Sequence, residues 1–109
     1  MKFLCHTTDI PENSSKGFEL PQGSLAVIHK NGQFYAYLNH CPHRGIRLEW
    51  EEDQFLDYDR HFIQCATHGA LFRIEDGECI AGPCPGEKLS SVELIVDGGR
   101  VLVNLPDSE

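Results

Sequence analysis

The sequence predicts a mostly β, antiparallel domain, and three observations carry that prediction. Asn31-Gly32 sits between two strand-like runs. Ten glycines and six prolines among 109 residues imply many turns. Only Ile46 to Asp53 has room for a short helical turn, and Gly45 and the acidic run weaken even that. In chain order, Ser24 to Lys30 and Gln33 to Leu38 should form a hairpin, because Asn-Gly tolerates the positive φ angles of a type I′ turn. Phe34, Ala36 and Leu38 alternate with Gln33, Tyr35 and Tyr37, the two-residue period of a strand. Gln54 to Asp57 and His61 to Cys65 read as a second hairpin across Tyr58-Asp59-Arg60, which leaves Cys65 at a strand end. Leu71 to Ile74 then turns through Glu75-Asp76-Gly77-Glu78 into Cys79-Ile80. Ser91 to Val96 pairs with Arg100 to Leu105 across Asp97-Gly98-Gly99.

Length and composition set the class. A chain of 109 residues, 40% hydrophobic and 24% charged, is expected to be one soluble globular domain with a single core region. No stretch approaches the ~18 apolar residues of a membrane span. The opening MKFLCHTTDIPENSS has only Phe3 and Leu4 as an apolar patch, so export is not expected and a cytoplasmic location is. In that compartment five cysteines are not a disulfide framework. The net charge of −8, from 17 acidic and nine basic residues, argues against nucleic acid, whose phosphates demand Lys and Arg clusters. It suits encounter with a basic face on a partner protein.

The chemistry lies in two short loops. Cys41-Pro42-His43 and Cys65-Ala66-Thr67-His68 each mix one thiolate with one imidazole, and glycine follows in both, as Gly45 and Gly69. A helix could not present Cys and His two apart, because residues i and i+2 point to different faces. Hairpin loops can. Two ligand types split evenly between two loops suit a binuclear iron–sulfur centre, with Cys41 and Cys65 on one iron and His43 and His68 on the other. The glycines would let backbone N–H groups approach the bridging sulfides. The main rival is a mononuclear zinc site of Cys₂His₂ type, but zinc modules usually pair like ligands at C-x₂₋₄-C or H-x₃₋₅-H spacing. A Cys–His hydrolase dyad would leave the second pair unexplained. His6, His29, His40 and His61 fit no ligand spacing and read as surface or supporting residues, while Cys5, Cys79 and Cys84 read as reduced small apolar side chains. Cys84 lies in Gly82-Pro83-Cys84-Pro85-Gly86, where a thiol could approach the centre.

Asn39-His40-Cys41-Pro42-His43-Arg44-Gly45, with Cys65-Ala66-Thr67-His68-Gly69-Ala70-Leu71-Phe72, resembles the Rieske [2Fe–2S] family, nearest its ferredoxin and oxygenase-associated branch. The likeness runs from about Phe18 to Leu105. It implies an antiparallel β-sandwich or barrel base carrying a small cluster-binding subdomain, roughly Cys41 to Pro85, within a single domain over residues 1–109. It also implies a [2Fe–2S] cofactor and makes Gly82-Pro83 similar to the proline loop that covers the cluster.

The departures from the family pattern are informative. In the high-potential respiratory branch each ligand loop carries an extra Cys and the two form a disulfide; here those positions are Ile46 and Thr67. Ala70 and Phe72 stand where that branch places hydroxyl donors. Fewer hydrogen bonds to the ligand sulfurs lower the potential, so a midpoint of about −150 mV is expected, not about +300 mV. The resemblance implies a monomeric, non-catalytic one-electron carrier, a component of an oxidoreductase system. It would take electrons from a flavin-dependent reductase and pass them to a terminal oxygenase or similar acceptor. The alternative is a small non-catalytic subunit of a reductase complex, like the nitrite reductase small subunit, with Trp50, Phe55 and Tyr58 as a candidate apolar interface. Arg44 and Arg47 would put positive charge beside the cluster tip.

Overall fold

The structure, a computed structural model, describes residues 2–21, 23–39, 55–57, 61–65, 69–82 and 88–104. Among these residues there are nine strands: β1 (Lys2–His6), β2 (Ser14–Leu20), β3 (Gly23–Lys30), β4 (Gln33–Leu38), β5 (Phe62–Gln64), β6 (Leu71–Arg73), β7 (Cys79–Ala81), β8 (Glu93–Asp97) and β9 (Arg100–Asn104). One 3-10 turn, Thr7–Asp9, follows β1. The strands form three antiparallel three-stranded sheets, ordered β1-β9-β8, β2-β3-β4 and β5-β6-β7.

The β3–β4 hairpin forms as expected. Asn31 and Gly32 take φ of 53° and 76°, the left-handed pair of a type I′ turn, and Lys30 faces Gln33 across it. The amides of Asn31 and Gly32 both donate to the Glu12 carboxylate, which clips the turn to the chain before β2. The β8–β9 hairpin closes on the two-residue turn Gly98-Gly99, so Asp97 is the last residue of β8 rather than part of the turn.

β3 is buried on both faces, which explains its continuous apolar run. Leu25 and Val27, with Ala36 of β4, pack against Cys5, Val92, Val101 and Val103, filling the space between sheets β2-β3-β4 and β1-β9-β8. Ala26 and Ile28, with Tyr37, face the other way, onto Phe55, Leu56, Ile63, Cys65, Phe72, Ile74, Cys79 and Leu89. The middle sheet therefore has the sandwich base on one side and the β5-β6-β7 sheet on the other. Each fully buried Val, Leu or Ile in these layers contributes about 1.5–3 kcal/mol.

The first two strands depart from expectation, since no strand was anticipated before Ser24. β1 carries a register shift between Phe3 and Cys5, which puts Leu4 and Cys5 both toward the core and breaks the two-residue period. β2 is the outer strand of its sheet, with no fully buried residue, so it shows no apolar alternation. Ile46 to Asp53 lies outside the described residues.

Candidate metal centre

The segment after β4 leaves its sheet through Asn39, the one polar residue among the described positions that is buried. Its amide N–H donates to the Ser24 carbonyl at 2.9 Å, and its Nδ2 to Ser24 Oγ at 3.1 Å. Ser24 Oγ in turn donates to Glu19 at 2.9 Å. These bonds fix the point from which the chain departs toward Cys41.

Cys65 emerges from β5 with its side chain fully enclosed. Phe55 and Ile63 are equally buried, and Gln64 donates its N–H to the Phe55 carbonyl at 2.8 Å. Asp57 N–H donates to the Phe62 carbonyl, and Leu56 bridges Ile63, so the expected 54–65 hairpin exists at its described positions. Beyond Cys65 two bonds close the chain on itself: Cys65 N–H donates to the Ala70 carbonyl at 2.9 Å, and Gly69 N–H to the Cys65 carbonyl at 2.8 Å. Gly69, at φ 68°, supplies the left-handed residue this closure needs.

Ala70 is held from the opposite side by Gly82. A Cβ on Gly82 would lie 2.7 Å from Ala70 Cα and 2.9 Å from Ala70 Cβ, so only glycine fits. The start of the Gly82-Pro83 loop is thus pressed onto the residue that closes the Cys65 turn. Ala70 and Phe72 are both fully buried and carry no hydroxyl, as expected from their side chains.

Tyr37 joins this layer to the base. Its buried hydroxyl donates to the Ile74 carbonyl, and its ring leaves no room for a Cβ on Gly77. Burial, with Asp76 adding to it, pushes the phenol above its ordinary range. The Tyr37 link joins residues 37 apart in the chain, and no local sequence signal announces it.

Of the four expected ligands, Cys65 is placed in the core at the mouth of its loop, while Cys41, His43 and His68 lie outside the described residues, as do His40, Cys84, Arg44, Arg47, Ile46 and Thr67. Cys5 and Cys79 are buried and in no disulfide, as expected of reduced side chains, and the Cys79 thiol donates to the Ala81 carbonyl at 3.3 Å. His29 is half-buried, with Nδ1 2.7 Å from the Ile10 carbonyl oxygen, Nε2 3.2 Å from Glu12 and its ring stacked on Phe34. His6 and His61 are exposed. Phe55 is core, which removes it from the candidate apolar interface; Trp50 and Tyr58 are outside the described residues.

A donor set of two thiols and two imidazoles on paired loops, with one thiol enclosed at a strand end, fits an iron–sulfur centre. Comparison with known proteins agrees. Residues 1–101 match the Rieske [2Fe-2S] domain model, and the chain belongs to that family. The match begins earlier than Phe18, taking in β1 and β2. Its cofactor is accordingly a [2Fe–2S] cluster.

Among relatives, the ferredoxin component of the alkene monooxygenase system of Xanthobacter autotrophicus is 30% identical over 102 residues, covering 92% of this chain and 77% of that protein. The cytochrome b6-f complex iron-sulfur subunit of Chlorobaculum thiosulfatiphilum is 27% identical over 97 residues, covering 89% of this chain. This chain spans about half (49%) of that subunit's length, and 12% of apoptosis-inducing factor 3, which it also matches. Among solved structures, a chain in the complex of reduced oxygenase and oxidised ferredoxin of carbazole 1,9a-dioxygenase superimposes with a TM-score of 0.74 at 27% identity, covering 94% of this chain and 90% of that one.

Proposed function

We propose that this protein is a Rieske-type ferredoxin, a low-potential one-electron carrier between a flavin-dependent reductase and a terminal oxygenase or similar acceptor. The observation that carries this reading is the extent of the match to the alkene monooxygenase ferredoxin, which takes in most of both chains. Cys41 and Cys65 would hold one iron, His43 and His68 the other. When bound, the cluster supplies a single one-electron couple.

The chain's own residues do the rest. The Cys65–Ala70 and Gly69–Cys65 backbone bonds fix the main chain from which the Cys65 thiol projects. Phe55, Ile63 and Phe72 exclude water from the thiol side. Ala70 and Phe72 offer no hydroxyl to the sulfurs, which keeps the potential near the low end of the family range, about −150 mV. We take residues 41–85 as the cluster-binding subdomain, in keeping with the separate packing of β5-β6-β7 on the middle sheet. We place its action in the cytoplasm, as a discrete carrier serving a reductase and an oxygenase; separately, no helix among the described residues is long and apolar enough to cross a membrane.

Iron and acid-labile sulfide analysis, the EPR spectrum of the reduced protein and a redox titration test this reading together. Two irons and two sulfides per chain, a mixed Cys/His spectrum and a midpoint below zero are expected. Zinc without sulfide, or a midpoint above zero, would overturn it. Stopped-flow oxidation of the reduced protein by a Rieske-type terminal oxygenase tests the carrier role directly. A chain that elutes only in a stable complex with a reductase catalytic subunit, and passes no electron to such an oxygenase, would exclude it.

A further inference from the structure

β8 is an outer strand of its sheet, and its sequence, Glu93-Leu94-Ile95-Val96-Asp97, has three consecutive apolar residues. Ile95 and Val96 are 43% and 49% exposed. Proteins usually blunt such an edge with a central charge, a proline or a bulge. Here the charges stand only at the two ends.

Among the described residues, the β8 backbone groups without a strand partner follow from the register. The two-residue turn Gly98-Gly99 makes Asp97 and Arg100 a hydrogen-bonded pair, and alternation then makes Ile95–Leu102 and Glu93–Asn104 the next bonded pairs. The N–H and C=O of Leu94 and Val96 therefore point away from β9. Val92 confirms the parity: its N–H, on the same side, donates to the Ala36 carbonyl of β4 at 2.8 Å. β4 and β8 meet there, at the Tyr37–Ser91 bridge, and then diverge. Between them opens a half-open groove lined by Gly32, Gln33, Phe34, Leu94 and Val96.

We propose that β8 is a docking edge for an extended segment of another protein, in which one apolar residue is bracketed, two positions to either side, by Lys or Arg. Such a strand would bond to the outward groups of Leu94 and Val96. The residues opposite these two share their face and rest in the groove against Phe34. The residue opposite Ile95 lies on the other face, beside Leu102 and Phe3, which continue the apolar row across the sheet. The bracketing cations meet Glu93 and Asp97. Glu93 Oε1 accepts from Asn104 Nδ2 at 3.1 Å, and the Arg100 guanidinium sits 3.7 Å from Asp97 on an exposed surface, where water weakens the pair.

A second copy of this chain fits poorly. The antiparallel register that pairs the full strand sets Leu94 opposite Val96 and Glu93 opposite Asp97, twice over, between chains that each carry −8. This edge does not depend on the electron-carrier reading, because it involves none of the ligand loops.

The test is amide NMR of the ¹⁵N-labelled, cluster-loaded protein titrated with the acetylated, amidated pentapeptide Lys-Val-Ile-Val-Lys and its Glu-Val-Ile-Val-Glu counterpart. The lysine peptide should shift the amides of Leu94, Val96 and Phe34 saturably and slow hydrogen exchange at Leu94 and Val96. The glutamate peptide should bind at least about tenfold more weakly. Val96→Pro removes an outward N–H while sparing the bonds to β9, and should weaken binding by a similar factor. Should that variant fold poorly, Ile95→Lys, at an exposed position, should do the same by charge repulsion. Equal binding of both peptides, shifts centred elsewhere, or unaltered affinity in the variants would overturn the proposal. Concentration-dependent shifts at Leu94 and Val96 without peptide would also overturn it, in favour of a second copy.

Discussion

Gly82→Ala tests whether the contact between Gly82 and Ala70 holds the Cys65 loop. Gly82 has φ 106°, a conformation that side chains with a Cβ rarely adopt. Placing an L-residue at positive φ costs about 1–2 kcal/mol. The added Cβ would also stand 2.7 Å from Ala70 Cα and 3.3 Å from Ala70 N, which are backbone atoms that cannot swing aside. Overpacking of that kind costs about 1–3 kcal/mol. Together the loss is about 2–5 kcal/mol, a large share of the roughly 5–15 kcal/mol that stabilises a small domain. Gly98→Ala is the uncrowded control: nothing lies within 4 Å of its Cβ, so only a conformational cost applies, smaller than at Gly82 because φ 59° lies in the left-handed region. Denaturant titrations of both cluster-loaded variants, at unchanged m, give the two losses. The difference between them is the contact plus the greater backbone cost of φ 106°. Displacing Ala70 also strains the bond its carbonyl accepts from Cys65, so iron content should fall in Gly82→Ala and not in Gly98→Ala. Equal stability losses, or full iron in a destabilised Gly82→Ala, would refute the idea that this contact positions the loop.

Other perturbations address separate parts of the molecule. Tyr37→Phe leaves the Ile74 carbonyl buried without its donor and should cost about 1–3 kcal/mol in equilibrium unfolding; a loss below about 0.5 kcal/mol would mean that the carbonyl finds another partner. The Glu12 carboxyl is held below its ordinary value, chiefly by the Gly32 N–H and then by that of Asn31 and by His29 and Lys30, against a smaller opposing effect of desolvation. A depressed folded pKa means stability present above the unfolded value of 4.5 and lost as pH falls through the lower folded one. Glu12→Gln should therefore be less stable than the parent at pH 7 and match it below that window; a pH-independent gap in paired unfolding curves would contradict the clip. Burial, then Asp9, pushes the Cys5 thiol up to about 11, against a smaller lowering by Lys16. Iodoacetamide at pH 8 should leave Cys5 unmodified in the native protein and alkylate it in denaturant, read by mass spectrometry; rapid native labelling would show the β1–β9 pairing to be open.

What the sequence revealed depended on how local each signal was. The Asn31-Gly32 turn is announced by two adjacent residues, and the proposed ligand pattern rests on spacings of two and three. Strand β1 was hidden because its bulge turns Leu4 and Cys5 inward together, which destroys the alternation that identifies a strand. Strand β2 was hidden by its outer position, where partial burial leaves Ser14-Ser15-Lys16-Gly17 with no apolar face to show. The tyrosine face of β4 looked like a polar side, yet Tyr37 is core, because a second layer covers that face. The centre itself was legible as chemistry. The supports around it, Tyr37 on Ile74 and Gly82 on Ala70, were not, since one is a hydrogen bond between positions 37 residues apart and the other a close contact between positions 12 apart.

The double-faced burial of β3 also governs how the protein is made. Leu25 and Val27 wait for Val92, Val101 and Val103, while Ala26 and Ile28 wait for Phe55, Phe72 and Leu89. The hairpin of residues 23–38 is made before the residues that cover it, and neither of its faces is fully covered until that later sequence follows. The wall common to both layers is thus completed only once β9 has been made, and β1 gains its partner from the same strand. The Cys65 layer therefore rests on a strand whose opposite face is covered only by residues from the far end of the fold.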